Sequence, residues 1–253
     1  MNTNIIRYSL RGSAATFCAA FALATLAGST VHAATVTQWT FETSIPGGGS
    51  GITGTSITGL SAEVGTGTAS GLHASALTLY SNPAGNGSNE SFSANTWAIG
   101  DYYQFSSATT GFEDVTLSWA QTSSSTGPGE FKLAYQVNGG GFTDFLNYTV
   151  LPNQVAAPGL GTWNNATEIT GYNVSADFSA LTALDNAASI DFRLIMRSTN
   201  DSTPPGTVAV AGTSRVDNFT INATAVPEPT TAVALLGGLG MLLGLRRTRR
   251  FAV

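Results

Sequence analysis

Apolar and polar residues alternate with a period of two through the middle of the chain, and helical periodicity is almost absent there. Within residues 113–119, Val115, Leu117 and Trp119 share one side, with Thr116 and Ser118 opposite. Phe131, Leu133, Tyr135 and Val137 alternate with Lys132, Ala134 and Gln136. Ile190, Phe192, Leu194 and Met196 alternate with Asp191, Arg193, Ile195 and Arg197. Residues 36–41 repeat the pattern, as do residues 215–221 with Val216, Phe219 and Ile221. Successive side chains of a strand point to opposite faces, so each run predicts a strand with one apolar face. Shorter runs at 76–80, 102–105, 142–149 and 172–178 predict further strands.

Turn chemistry separates these runs. Asn138-Gly139-Gly140-Gly141 lies between two of them, and Asn and Gly accept the positive φ that a tight hairpin needs. Residues 126–129 and 203–206 carry Gly and Pro at further turns. About eight to ten strands with one apolar face each predict an all-β fold. The expected architecture over residues 34–225 is a two-sheet β-sandwich of the jelly-roll kind. Residues 180–188 have room for one helical turn. Residues 44–74 are different, with nine glycines among positions 47–71. They read as a long loop or as two weak edge strands, and the pattern does not choose.

Both ends break the pattern. Arg7 and Arg11 precede an apolar run over residues 14–28, and Val31-His32-Ala33 supplies small residues at a cleavage site before Ala34. Residues 1–33 therefore read as a secretory signal peptide, the substrate of signal peptidase. Removing it takes away Cys18, the one cysteine of the chain. At the other end, Pro227-Glu228-Pro229 is followed by 15 uncharged residues, 231–245, and then by Arg246, Arg247, Arg249 and Arg250. Proline starts helices and is excluded from their interiors, so the pair fixes where a helix begins. Such a helix is about 22 Å long at about 1.5 Å per residue, short of a hydrocarbon core of about 30 Å. Snorkelling arginines and a thinned bilayer close the gap, and the basic cluster stays on the cytoplasmic side as a stop-transfer signal.

This tripartite tail, residues 226–253, resembles the PEP-CTERM sorting signal of exopolysaccharide-producing Gram-negative bacteria. Pro227, Glu228 and Pro229 match that family's motif residue by residue. The resemblance implies an exosortase substrate: a protein carried across the inner membrane, held there transiently by its C-terminal transmembrane helix, cut near the motif, and released to the cell surface or polysaccharide matrix. A plain C-terminal membrane anchor is the alternative.

Charge agrees with this division. Six of the ten basic residues lie in the two tails, and residues 34–226 keep Lys132, Arg193, Arg197 and Arg215 against fourteen acidic residues, a net of −10. A body this acidic is repelled by nucleic acid and by anionic lipid. With no cysteine after residue 33, a disulfide scaffold and a Cys-based zinc site are excluded. Its one histidine, His73, has no Gly-x-Ser-x-Gly elbow beside it and reads as a surface residue. No Walker-type lysine or Gly-x-Gly-x-x-Gly before a helix is present.

Two kinds of binding chemistry remain. Glu42 follows the first predicted strand and Asp217 lies in the last, and hard cations take carboxylate oxygen. The layout loosely resembles carbohydrate-binding jelly-roll modules with a structural calcium near both termini, which implies Ca2+ at Glu42 and Asp217. The alternative for Asp217 is an ion pair with Arg215 or Arg193, or a turn cap. Trp97, Tyr102 and Trp163 are candidate platforms for sugar rings. Of the adjacent Tyr102 and Tyr103, one must point outward if both lie on a strand. The function expected is structural, adhesive or glycan-binding, without catalysis. The alternative is a secreted polysaccharide-active enzyme using a carboxylate pair about 5 to 10 Å apart.

The tail makes a direct prediction. Mass spectrometry of the protein recovered from its native host should find a mature chain that starts at Ala34 and lacks residues 245–250. An intact arginine cluster on the mature protein would leave the plain anchor instead.

Overall fold

The computed structural model describes residues 32–44, 46–153 and 161–226. Its first seven strands are β1 (Ala33–Trp39), β2 (Ile52–Thr53), β3 (Ser56–Ser61), β4 (Thr68–Leu72), β5 (Leu79–Ser81), β6 (Phe92–Ala94) and β7 (Tyr102–Ser107). Then come β8 (Phe112–Ser123), β9 (Glu130–Val137), β10 (Thr143–Thr149), β11 (Asn173–Asp177), β12 (Ile190–Met196) and β13 (Ser214–Ala225). One sheet runs β11-β8-β13-β6-β5-β2, with β1 also paired to β13; the other runs β10-β9-β12-β7-β4-β3. Every pairing of named strands is antiparallel. The predicted signal peptide up to residue 31, the motif Pro227, Glu228 and Pro229, the span 231–245 and the arginines Arg246, Arg247, Arg249 and Arg250 lie outside the described residues. Among the described residues no helix is long and apolar enough to cross a membrane.

The sheets pack face to face through aromatic rings. Phe105 of β7 stacks flat on Phe219 of β13, with centroids 3.7 Å apart, so one ring comes from each sheet. Trp39 of β1 meets both edge-on. Phe92 of β6 lies against Tyr103 of β7, and Trp119 of β8 against Tyr148 of β10. Phe192 of β12 completes the contact with Phe219. All of these rings are buried except Tyr148, which is half-buried. The alternation in the sequence is the cause: β12 reads buried and half-buried by turns from Ile190 to Met196, as its apolar and polar residues do.

Each long predicted strand is present, and the Asn138 turn joins β9 to β10 with φ of 49° at Asn138 and 73° at Gly139. Residues 180–188 hold a single 3-10 turn, Thr182–Leu184. The Gly-rich stretch is ordered into strands, and not all of them lie at an edge. β2 and β3 end their sheets, whereas β4 is hydrogen-bonded between β3 and β7. Glycine and small residues fit there because large rings fill the space above: a Cβ on Gly71 would come within 2.7 Å of the Tyr80 ring.

His73 corrects its surface reading. It is 2% exposed, wedged against Trp97 with ring centroids 4.2 Å apart and edge-on to Tyr80. Its Nδ1 lies 3.3 Å from Asp101 Oδ2. Asp101 is fixed by the backbone N–H groups of Ala74 and Ala98, which donate to its two oxygens. Burial holds the His73 pKa below its ordinary value, against the opposing pull of Asp101. The residue was misread because its imidazole packs as a small aromatic ring between Trp97 and Tyr80, contacts that chain position does not reveal.

A base whose pKa is lower in the folded state binds fewer protons there than when unfolded. Its contribution is complete at high pH and is lost as pH falls below the unfolded value of about 6.5. Urea unfolding at pH 7.5, 6.5 and 5.5 should therefore show the natural chain losing stability relative to His73→Gln as the solution is acidified. Parallel pH profiles for the two proteins would refute this.

Candidate functional site

The outer face of the six-stranded sheet carries a groove of about 500 Å³. It is built from the outward-facing positions of four adjacent strands. In register across β7, β12, β9 and β10 lie Tyr102, Ile195, Lys132 and Asn147. Arg193 and Asp144 line the groove beside this row, with Ile99 and Arg197 at its end. Three of the four basic residues of the acidic body therefore meet in one place.

Their partners differ. Lys132 Nζ is 2.8 Å from Asp144 Oδ2, and Arg197 Nη1 is 2.7 Å from Glu130 Oε2. Both pairs are open to solvent, where such contacts are worth about 0–1 kcal/mol. Arg193 has no carboxylate within ion-pair distance among the described residues. Its guanidinium lies between two rings instead, 4.0 Å from the Tyr102 centroid and 3.7 Å from that of Phe142. Its Nε donates to Gln104 Oε1 at 2.7 Å. Gln104 Nε2 in turn donates to Asp191 Oδ1 at 3.1 Å, and Ser106 Oγ donates to the same oxygen. The arginine is thus held flat by aromatic faces and fixed in direction by an amide.

Of the aromatic candidates, Tyr102 is half-buried on the groove, and its neighbour Tyr103 is fully buried. The pair divides between the two faces of β7 as strand geometry requires. Trp97 and Trp163 are not surface platforms. Trp97 is 7% exposed and donates its indole N–H to the Ala94 carbonyl; Trp163 is 5% exposed and donates to that of Ala84. Each large ring finds more apolar contact inside, once a backbone carbonyl takes its one polar atom. Lys132, Arg193, Asp144 and Asn147 were not singled out from the sequence. The available signal was charge on the polar faces of two strong strand patterns; which strands would be neighbours was missing.

Glu42 and Asp217 meet at a second place. β13 pairs with β6 through residues 214–216 and with β1 through residues 219–224. Between them the register against β8 shifts, and Asn218 takes a φ of 52°. Asp217, fully buried there, accepts from the Asn86 N–H at 2.8 Å and the Ser88 hydroxyl at 2.6 Å through Oδ2. Glu42 accepts from the Glu90 N–H at 2.9 Å and from Asn89 Nδ2. Both carboxylates therefore grip the loop 86–90. Gly85 admits the approach, because a Cβ there would lie 2.4 Å from Asp217 Oδ2. Burial, opposed by these hydrogen bonds and aided by the charge of Glu42, pushes the Asp217 pKa up to about 6. Asp217 forms no ion pair with Arg215 or Arg193. The donors are oxygen, which suits calcium. Yet no group of three or more His, Cys, Asp or Glu gathers among the described residues, so an ion would also need amide and carbonyl oxygen.

A polar groove of about 380 Å³ lies beside this clamp on the other sheet, lined by Gln38, Ser118, Glu168, Asn173, Asn218 and Thr220 among others. Two of its amides are spent on neighbouring carboxylates: Asn173 Nδ2 donates to Glu168, and Asn218 Nδ2 to Asp217.

No protein-family model matches the chain, and no curated protein matches it. Among solved structures it is similar to the K1 cleaved adhesin domain of Lys-gingipain from Porphyromonas gingivalis W83, at 13% identity over 76% of this chain and 97% of that one, with a TM-score of 0.36. It is also similar to a carbohydrate-binding module solved for its specific recognition of mannan, at 10% identity over 76% of this chain and 99% of that one, with a TM-score of 0.40. A third, solved with β-1,4-galactotriose, is 8% identical over 61% of this chain and 86% of that one, with a TM-score of 0.34. At these scores none of the likenesses bears on what this chain does.

Proposed function

We propose that the protein is an exported glycan-binding or adhesive module, delivered to the cell surface or extracellular polysaccharide matrix through its PEP-CTERM tail. In this reading signal peptidase and exosortase are its processing partners, the membrane is a transient one, and a polysaccharide is the lasting one. The fold is a jelly roll, and the body does no catalysis. The observation that carries the reading is the groove on the six-stranded sheet. An extended polymer needs an open trough, and this one offers a tyrosine, an aromatic-clamped arginine, a lysine, a carboxylate and an amide along adjacent strands. Sugars are recognised by such a mixture of ring faces and hydroxyl-binding donors and acceptors.

Calcium is a separate part of the proposal. Glu42 and Asp217 would hold it, and its charge would offset two carboxylates that now oppose each other around the loop 86–90. Its role would be to brace the loop.

Two measurements test these statements. A glycan panel titrated against the purified chain should show binding, and Tyr102→Ala should weaken it about tenfold, or ~1.4 kcal/mol. Binding unaffected by Tyr102→Ala would move the site away from this groove, and products of bond cleavage would establish the enzyme alternative. Calcium should raise the melting temperature over an EDTA-treated sample, because a ligand bound only by the folded state stabilises it. No shift would remove the ion.

A further inference from the structure

We infer that the groove on the six-stranded sheet selects glycans that carry an anionic group, a carboxylate or a sulfate ester, and that Arg193 reads that group. This rests on the glycan-binding reading of the same groove and names the class of glycan.

Three observations converge on it. The first is the placement of charge. The body from residue 34 to 226 has net charge −10, yet the groove is lined by Lys132, Arg193 and Arg197 against Asp144 alone. A fold that repels anions almost everywhere has concentrated its cations on one surface.

The second is the state of Arg193. Lys132 and Arg197 are each committed to a carboxylate. Arg193, the most confined of the three, has none within ion-pair distance among the described residues. A partly desolvated guanidinium without a counter-ion is costly unless something binds it. Asp191, on the same strand and same face, attracts the guanidinium from beyond ion-pair distance, and its Oδ1 receives Gln104 and Ser106. The arginine's own hydrogen bond goes to neutral Gln104 through Nε.

The third is geometry. Tyr102 and Phe142 cover the guanidinium plane, and Gln104 takes its Nε edge. What remains is the edge formed by the two terminal nitrogens. These donate in parallel in the plane, the arrangement that matches the two oxygens of a carboxylate and also binds sulfate. The side chain is already immobilised, so little rotamer entropy is lost when an oxyanion docks. A neutral sugar would leave this edge without a charged partner.

The test uses the full chain, purified in mild detergent. It is titrated with polygalacturonate, with dextran sulfate and with neutral dextran and galactan, at low and at physiological ionic strength. At least one of the two polyanions should bind at least tenfold more tightly than the neutral polymers, with affinity falling as salt rises. Whichever polyanion binds better identifies the oxyanion. Arg193→Gln should remove at least a factor of ten from polyanion binding, a loss at least threefold larger than the one it causes in any neutral binding. Arg193→Lys keeps the charge without the fork and should fall between. The salt response of the natural chain tests the inference without any variant, should Arg193→Gln fail to fold. Equal affinity for neutral and anionic polymers, or polyanion binding unchanged in both variants, overturns the selectivity while leaving glycan binding in place. Binding of no polymer at all overturns both.

Discussion

The flat stack of Phe105 on Phe219 is the contact on which the two sheets depend. Neither sheet is stable alone, since each presents an apolar face that must be removed from water. Burying a phenylalanine contributes about 1.5–3 kcal/mol, and a well-placed ring pair adds about 0.5–1.5 kcal/mol. Trp39, Trp119 and Phe192 extend the contact through both layers. Aromatic rings rather than aliphatic chains fill much of this space, which is why small residues line strands such as β4 beneath them.

Fixing that face leaves the outer faces free for other chemistry. On the six-stranded sheet, the polar half of the same alternation that buries Phe131, Leu133, Phe192 and Leu194 exposes Lys132 and Arg193 on neighbouring strands. Core and groove are thus two sides of one period. Any one-residue slip of β12 would turn Arg193 inward and Phe192 out, so the buried face sets the register that assembles the site.

The last strand has the most connections. β13 meets β8 along one edge and β6 and β1 in succession along the other. The register shift at Asp217 and Asn218 is where β6 gives way to β1, and the buried carboxylate is the device that anchors the crossing loop 86–90. Asp217 is held there without an ion pair, by N–H and O–H donors alone, and its raised pKa records the cost of removing that charge from water.

Much of this was legible in the sequence, and for a definite reason. A strand packed on one side must repeat every second residue, so the five long runs, the Asn138 hairpin and the division of Tyr102 from Tyr103 could be read without coordinates. The approach of Glu42 and Asp217 to one loop could be anticipated only as far as the two ends of a sandwich being neighbours. The reading of the two tails rests on linear patterns of charge and hydrophobicity alone, and both tails lie outside the described residues. Only the tertiary structure decided which strands lie side by side, and everything specific followed from that. It placed β4 inside its sheet, because the rings above leave room only for small residues. It took Trp97, Trp163 and His73 into the interior, where each indole N–H donates to a backbone carbonyl and His73 packs against Trp97 and Tyr80 beside Asp101. It brought Arg193 between Tyr102 and Phe142. Those three residues are far apart in the chain, and local sequence constrains the face a residue takes but not the neighbour it meets across the sheet.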